Sequence, residues 1–344
     1  MNRAAMIRTS ATIAFSISLS AGGTVSAQTL SALFASPEPP PSLPLRLPSI
    51  AAEQLYTDVL VYGEWRIQRS ELTGSFRLLD PENRRRTWGS EQQCREEFTR
   101  LRALGFIPAL HGRAVLTLHG FGRSRDHMQP LGRFLRDESG VTWINVTYSS
   151  TRGSLGDHAQ TLARIIDGLE GIDAIDIVGH SLGNLVVRRY LGEATAEQPR
   201  WQIDPRLRRM VMLGPPNNGA RMATLIADLV SDSDLARLVT GPSAWQLARQ
   251  WDDTQKRLAT PTFDFGVIAG GLGDGRGMNP LLPGDDDFIV RVEETRLTGA
   301  CDFRRVPCHH GRMMRDPEVQ KSVLSFLETG CFTSAEEKQP ITTP

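Results

Sequence analysis

Ser181 sits in the run Val178-Gly179-His180-Ser181-Leu182-Gly183, a serine between two glycines where an apolar stretch gives way to a helical pattern. In a G-x-S-x-G elbow the serine occupies a sharp strand-to-helix turn that lifts its Oγ clear of the sheet. Gly179 and Gly183 then leave room where a Cβ would clash. At an average glycine usage of about 7%, roughly one chain of this length in ten contains the pattern by chance, so its surroundings decide its meaning. They agree on both sides: Ala174-Ile175-Asp176-Ile177-Val178 reads as a short buried strand, and Leu185 to Leu191 repeats apolar residues at helical spacing. A serine so placed is a candidate nucleophile for acyl transfer.

A serine hydroxyl is a weak nucleophile at neutral pH. It needs a histidine to take its proton and a carboxylate to hold that histidine in the correct tautomer. Two histidines follow late enough, His309 and His310, between the strand-like Phe303 to Val306 and a closing helix. Both stay open on the residues alone. His310 is favoured because Gly311-Arg312-Met313-Met314 after it can turn the imidazole toward the serine, whereas His309 adjoins Cys308. For the acid, Asp287 ends the run Asp285-Asp286-Asp287 and leads into Phe288-Ile289-Val290, where packing would hold it. Asp274, in Gly273-Asp274-Gly275, is the rival and also reads as an ordinary turn residue. A calcium site in the aspartate run is the other reading, although clustered acids on a loop are usually solvated. Charge developing on a tetrahedral intermediate needs two backbone N–H donors. Leu182 supplies one, and Phe121 the other, because Gly120 and Gly122 in Leu118-His119-Gly120-Phe121-Gly122 let its amide turn inward. His119 reads as a brace of this loop. None of this chemistry requires a metal or an organic cofactor, and Cys301, Cys308, His309 and His310 lack the tight C-x₂-C pairs of structural zinc sites.

The elements that must position these residues alternate from Arg113 onward. Strand-like Ala114 to Leu118, a helix near Met128 to Arg136, Val141 to Val146 and a helix near Leu155 to Leu169 precede the elbow strand. Arg209 to Leu213, a helical insertion from Gly219 to Arg257, Phe263 to Ala269, Phe303 to Val306 and a helix from Pro317 to Leu327 follow it. Such alternation implies an α/β fold with a mostly parallel central sheet covered by helices on both faces. Met222, Leu225, Ile226 and Leu229, then Leu235, Leu238 and Val239, give the insertion an apolar stripe that either lines an acyl pocket as a possible lid or packs on the core.

The motif set H-G-x-G at His119 to Gly122, G-H-S-x-G at Gly179 to Gly183, D-x-x-V at Asp287 to Val290 and a late histidine at His310, in that order, resembles the α/β-hydrolases of the bacterial triacylglycerol lipase and esterase group. The resemblance covers roughly Arg113 to Leu327. It implies the α/β-hydrolase fold, a triad of Ser181, Asp287 and His310, and oxyanion donors at Phe121 and Leu182. Met212 to Gly219 is similar to the post-strand loop that shapes the site in this group. The chain departs from the pattern at Phe288, where relatives often carry a small residue, and in its doubled histidine.

The 344 residues carry 39 basic and 39 acidic side chains, so no global field would draw in nucleic acid, and Arg84-Arg85-Arg86 reads as a solvated face. Arg3 and Arg8, the apolar Ala11 to Leu19 and Val25-Ser26-Ala27 read as a signal peptide over 1–27. No segment offers the ~20 apolar residues of a transmembrane helix, and the expectation is an exported protein, periplasmic or secreted. A Pro-rich linker over 28–49, an N-terminal extension over 50–111 reading as strand, strand and helix, a catalytic domain over 112–330 and a tail over 331–344 complete the organisation. The extension either adds strands to the sheet edge or covers the acyl pocket. Export makes disulfides the natural state of four cysteines, with Cys301–Cys308 and Cys94–Cys331 as the pairing expected from proximity. The expected substrate is a small-molecule or lipid ester, cleaved through an acyl-enzyme. Acyl transfer or amide hydrolysis by the same residues, and a non-catalytic surface module on this fold, are the alternatives.

Overall fold

The computed structural model describes residues 54–224 and 234–343, with the backbone alone for 234–240. The expected signal peptide and linker, and Leu225, Ile226 and Leu229 of the apolar stripe, lie outside the described residues.

The N-terminal extension is an antiparallel meander of β1 (Tyr56–Tyr62), β2 (Trp65–Ser70), β3 (Phe76–Leu79) and β4 (Arg85–Gly89), followed by α1 (Glu91–Ala103). The run Val59 to Ile67, whose alternating side chains read as one strand, is split between β1 and β2. Tyr62 pairs with Trp65 across the two-residue loop Gly63-Glu64, in which Gly63 adopts φ 60°. A glycine at the first position is what such a hairpin loop demands. Strand β4 escapes a pattern reading because its side chains are mostly exposed or half-buried and charged. Helix α1 opens on a capping box in which Ser90 accepts from Gln93 N and Gln93 returns a bond to Ser90 N. Cys94, Phe98 and Leu101, spaced four and three apart, bury one face of α1 against Tyr62, Ile67 and Leu78.

The second sheet has six parallel strands: β5 (Gly112–Leu118), β6 (Thr142–Val146), β7 (Ile172–His180), β8 (Leu207–Leu213), β9 (Asp264–Gly270) and β10 (Asp302–Val306), in the order β10-β9-β8-β7-β5-β6. Helices α2 (Gln129–Ser139), α3 (Leu155–Asp167), α4 (Leu182–Ala194), α5 (Asp234–Arg249), α6 (Trp251–Gln255), α7 (Val292–Thr295) and α8 (Pro317–Thr329) surround it. Because side chains alternate across a strand, one sequence feeds two cores. Leu116, Ile177, Met212 and Val267 pack with Leu162 of α3 and Leu185 of α4. Their neighbours Val115, Val178, Val211 and Ile268 pack with Leu131 of α2 and Val323 of α8. Both faces are covered, which is why these strands read as continuous apolar runs. This is the α/β-hydrolase architecture.

The extension takes neither role anticipated for it. Its four strands form a sheet of their own, separate from the main one, and none of its described residues lines the cavity beside Ser181. It is held instead by β1 on α3 and by the exchange of Asp58 with Thr147, whose amide donates to the Asp58 carboxylate at 2.6 Å while Asp58 N donates to the Thr147 carbonyl. The tail is anchored as well: the amides of Phe332 and Gln339 donate to Asp302, and Ile341 exchanges backbone bonds with Gly299 and Ala300.

The disulfide pairing is corrected. All four cysteines are free thiols. Cys301 and Cys308 stand at opposite ends of β10, and an extended strand rising about 3.3 Å per residue separates them by far more than a disulfide spans. Cys94 is buried in the core of the extension, whereas Cys331 follows α8 beside Thr329.

Candidate active site

Five loops converge at the carboxyl ends of β5, β7, β8, β9 and β10, where open α/β sheets place their ligand crevices. Ser181 follows the last residue of β7 with φ 52° and ψ −121°, a conformation that L residues other than glycine rarely adopt, and serves as N-cap of α4. Its amide donates to the Leu213 carbonyl at 2.9 Å, tying the turn to β8. The elbow glycines are needed for clearance. A Cβ on Gly183 would stand 2.6 Å from the Leu118 carbonyl oxygen, and one on Gly179 would strike Asn184. Asn184 in turn donates through Nδ2 to the Ser181 carbonyl at 3.1 Å.

His310 and Asp287 come from different loops and meet with Nδ1 of His310 2.7 Å from Oδ2 of Asp287. The backbone repeats the contact, His310 N donating to the Asp287 carbonyl at 2.9 Å. The other carboxylate oxygen accepts the amides of Ile289 at 3.0 Å and Val290 at 2.8 Å, so the fully buried Asp287 carboxylate accepts three hydrogen bonds and both its oxygens are held. With Nδ1 committed as a donor, Nε2 of His310 is left as the acceptor. His309 is exposed, its ring 6.1 Å from that of Phe288. Asp274 is an exposed turn residue whose carboxylate accepts from Arg276 N and Gly277 N. Asp285 and Asp286 likewise hold backbone, of Leu272 and Gly273 and of Asn279 and Phe288 respectively.

The loop after β5 is a turn in which Arg123 N donates to the Gly120 carbonyl at 3.2 Å, with Gly122 at φ 63°. Positive φ at the third position is the mark of a type II turn, with Phe121 at its second position. A Cβ on Gly120 would lie 3.0 Å from the Ser181 Cβ, so this loop abuts the serine. Among the described residues neither Phe121 N nor Leu182 N has a hydrogen-bond acceptor; Leu182 is the first residue of α4, where helices leave their amides free. His119 braces the loop: its Nδ1 donates to the Gly120 carbonyl at 2.9 Å, its ring stacks on Tyr148 at 4.3 Å, and the Tyr148 hydroxyl donates to the His119 carbonyl.

Ser181 and His310 line one cavity of about 300 Å³ with Phe121, Met222, Trp245 and Ile289 among its apolar walls. Met222 and the second half of α5 thus reach the site; for Leu235, Leu238 and Val239 the backbone alone is described. Helix α5 kinks at Gly241, φ 77°, and Ser243 donates to the Gly153 carbonyl at 2.8 Å, fixing the half that carries Ala244 and Trp245.

A family model described as "Alpha/beta hydrolase family" matches residues 115–320, more than half of the chain. The chain belongs to the alpha/beta hydrolase family. A search of curated proteins gave no match. Among solved structures, the mature lipase BlEst2 of Bacillus licheniformis is 16% identical with a TM-score of 0.46, the alignment covering 65% of this chain and 96% of that one. Carboxylesterase CesB of Bacillus subtilis is 17% identical with a TM-score of 0.38, covering 63% and 84%. A lipase-esterase related protein of Clostridium acetobutylicum is 12% identical with a TM-score of 0.39, covering 63% and 93%.

Three further residues of this alpha/beta hydrolase's site have no individual role assigned from the sequence, although Gly214 lies in the Met212 to Gly219 loop and His180 in the G-H-S-x-G run. A Cβ on Gly214, which has φ 49°, would stand 3.0 Å from His310 Nδ1 and 3.2 Å from Asp287 Oδ2, so the backbone after β8 walls the His–Asp pair. His180 donates through Nε2 to the His310 carbonyl at 3.0 Å with the two rings 4.6 Å apart, linking the residue before the serine to the opposite loop. Burial, then the neighbouring His310 and His127, holds its pKa well below the usual histidine value. Gln54, the first described residue, donates to the Arg123 carbonyl at 2.6 Å and accepts from Ser150 Oγ, which itself accepts from Gly122 N. The extension therefore braces the Phe121 turn.

Proposed function

We propose that the protein is an exported carboxylic ester hydrolase of the esterase or lipase kind, working through an acyl-enzyme on Ser181. The observation that carries this reading is the joint one at the sheet's carboxyl edge: a serine held at φ 52° shares an apolar cavity with a histidine whose Nδ1 is bound to a buried carboxylate. Ser181 Oγ attacks the ester carbonyl carbon while His310 Nε2 takes its proton, and Asp287 keeps the imidazole in the tautomer that makes this possible. The oxyanion so formed accepts from Phe121 N and Leu182 N, which are preorganised and without other acceptors. Collapse breaks the ester C–O bond, and His310 returns the proton to the departing alcohol. Water, deprotonated by the same histidine, attacks the acyl-serine and releases the acid. A cavity of about 300 Å³ with apolar walls suits acyl chains of short to medium length. Export rests on the pattern of residues 1–27.

The test is hydrolysis of p-nitrophenyl esters from acetate to palmitate by the wild type, Ser181→Ala and His310→Ala. Activity peaking at short or medium chains and abolished in both variants is expected; activity surviving in Ser181→Ala would overturn the assignment.

A further inference from the structure

A second, polar cavity of about 680 Å³ adjoins the first. Arg123 lines both cavities, and its guanidinium lies against Gly311, the residue after His310, since a Cβ there would be 3.6 Å from Arg123 Nη2. Arg312 and Arg315 line the second cavity too. They belong to the 3₁₀ turn His310–Arg315 that carries the histidine. In a 3₁₀ turn residues three apart eclipse, so these two guanidiniums leave from one face while Met313 and Met314 are buried on the other. None of the three arginines has a side-chain hydrogen bond or a carboxylate partner among the described residues. Arginines elsewhere on the surface are taken up in ion pairs, as Arg208 is with Asp176 and Arg304 with Glu318. The single carboxylate lining this cavity, Asp316, caps α8 by accepting from Glu318 N and Val319 N. The positive field is felt by His127 on the same wall, whose pKa burial and then Arg123, with a smaller share from Arg315, hold down at about 4.

We propose that Arg123, Arg312 and Arg315 form an anion subsite for the alcohol half of the ester, selecting substrates whose leaving group carries a phosphate. The inference rests on the ester-hydrolase reading above. Its direction follows from mechanism: the histidine that protonates the departing alcohol is His310, and the cationic cavity flanks it through Gly311 and Arg312, whereas the acyl group has the apolar cavity. Guanidinium forks match phosphate oxygens bidentately, and three of them free of internal partners present that geometry without first breaking an ion pair.

The experiment compares kcat/KM for 1-butyrylglycerol 3-phosphate and neutral 1-butyrylglycerol in the wild type and in Arg312→Gln/Arg315→Gln, two exposed positions. The wild type should favour the phosphorylated ester about tenfold, since exposed ion pairs are individually modest. The ratio should fall to about one in the double variant, and also in wild type at about 0.5 M salt, where screening acts within a few Å. Both esters cleaved at equal wild-type rates would overturn the subsite and leave the ester-hydrolase reading standing. If neither is cleaved, calorimetric titration with glycerol 3-phosphate decides: binding lost in the double variant supports the subsite, and no wild-type binding overturns it. Where the soluble pair supports it, faster turnover of phosphatidate than of phosphatidylcholine vesicles assigns the phosphate to a lipid headgroup, and equal turnover to a soluble ester. A preference confined to vesicles would overturn the subsite, because it reports adsorption to a charged surface.

Discussion

Phe288 stands beside the buried acid at φ 86°, where a side chain costs about 1–2 kcal/mol. Its amide donates to Asp286 and its carbonyl accepts from Asn279, so the backbone is fixed there, while the ring is 46% exposed and gains little by burial. The departure seen at this position in the sequence is thus a bulky residue where the backbone asks for glycine. Phe288→Gly should relieve that strain, less the entropy glycine loses on folding, and stabilise the protein by up to about 1 kcal/mol, read as a raised urea midpoint with an unchanged m-value. At this scale the sequence was legible where a motif is local. Ser181 with its glycines, the Phe121 loop, Asp287 and His310 each stand in a short recognisable run. Gly214 and His180 fall within runs that the resemblance picks out, but their contacts could not be read, because these join the ends of different strands and only the sheet brings those ends together.

The elements of the main sheet could be placed to within a few residues, since a strand buried on both faces and an amphipathic helix are periodic signals. The extension was harder. Its first long strand hid a hairpin at Gly63, and charged β4 has no apolar alternation to find. Its link to the site rests on one polar side chain, Gln54, whose bonds to Arg123 O and Ser150 Oγ no periodicity could indicate. Gln54→Ala should loosen the turn that presents Phe121 N. Losing an oxyanion donor outright costs about 10²–10³ in rate, and a loosened donor should cost less, about tenfold in kcat with KM little changed. Steady-state kinetics on the preferred p-nitrophenyl ester read that split. No described helix is long and apolar enough to cross a membrane.

Across the whole molecule, zero net charge conceals an uneven distribution of buried titratable groups. Burial holds His119 down at about 4 and His158 at about 3, and pushes His180 well down. An unfolded histidine titrates near 6.5, so below that pH the unfolded chain binds protons the native state refuses, and stability falls as pH drops toward 4. The fully buried His119 and His158 each contribute on the order of a few kcal/mol to that loss. Asp58 opposes it: burial raises its pKa from 3.8 to about 6, so the native state binds the extra proton in that window and gains stability on acidification. His127, held at about 4, adds to the histidines, and the raised carboxyls of Asp176, Asp286 and Glu294 side with Asp58; the four histidines, displaced from near 6.5, govern the window. The urea midpoint should therefore fall between about pH 7 and pH 4, and His158→Gln should flatten the slope.

The central claim is that Ser181 is a nucleophile activated by His310. Intact-mass measurement after exposure to a fluorophosphonate tests it most directly, comparing wild type, Ser181→Ala and His310→Ala. One adduct per chain, mapped to Ser181, absent in Ser181→Ala and strongly slowed in His310→Ala, is the predicted result. An unlabelled wild type, or an adduct that persists in Ser181→Ala, would contradict it.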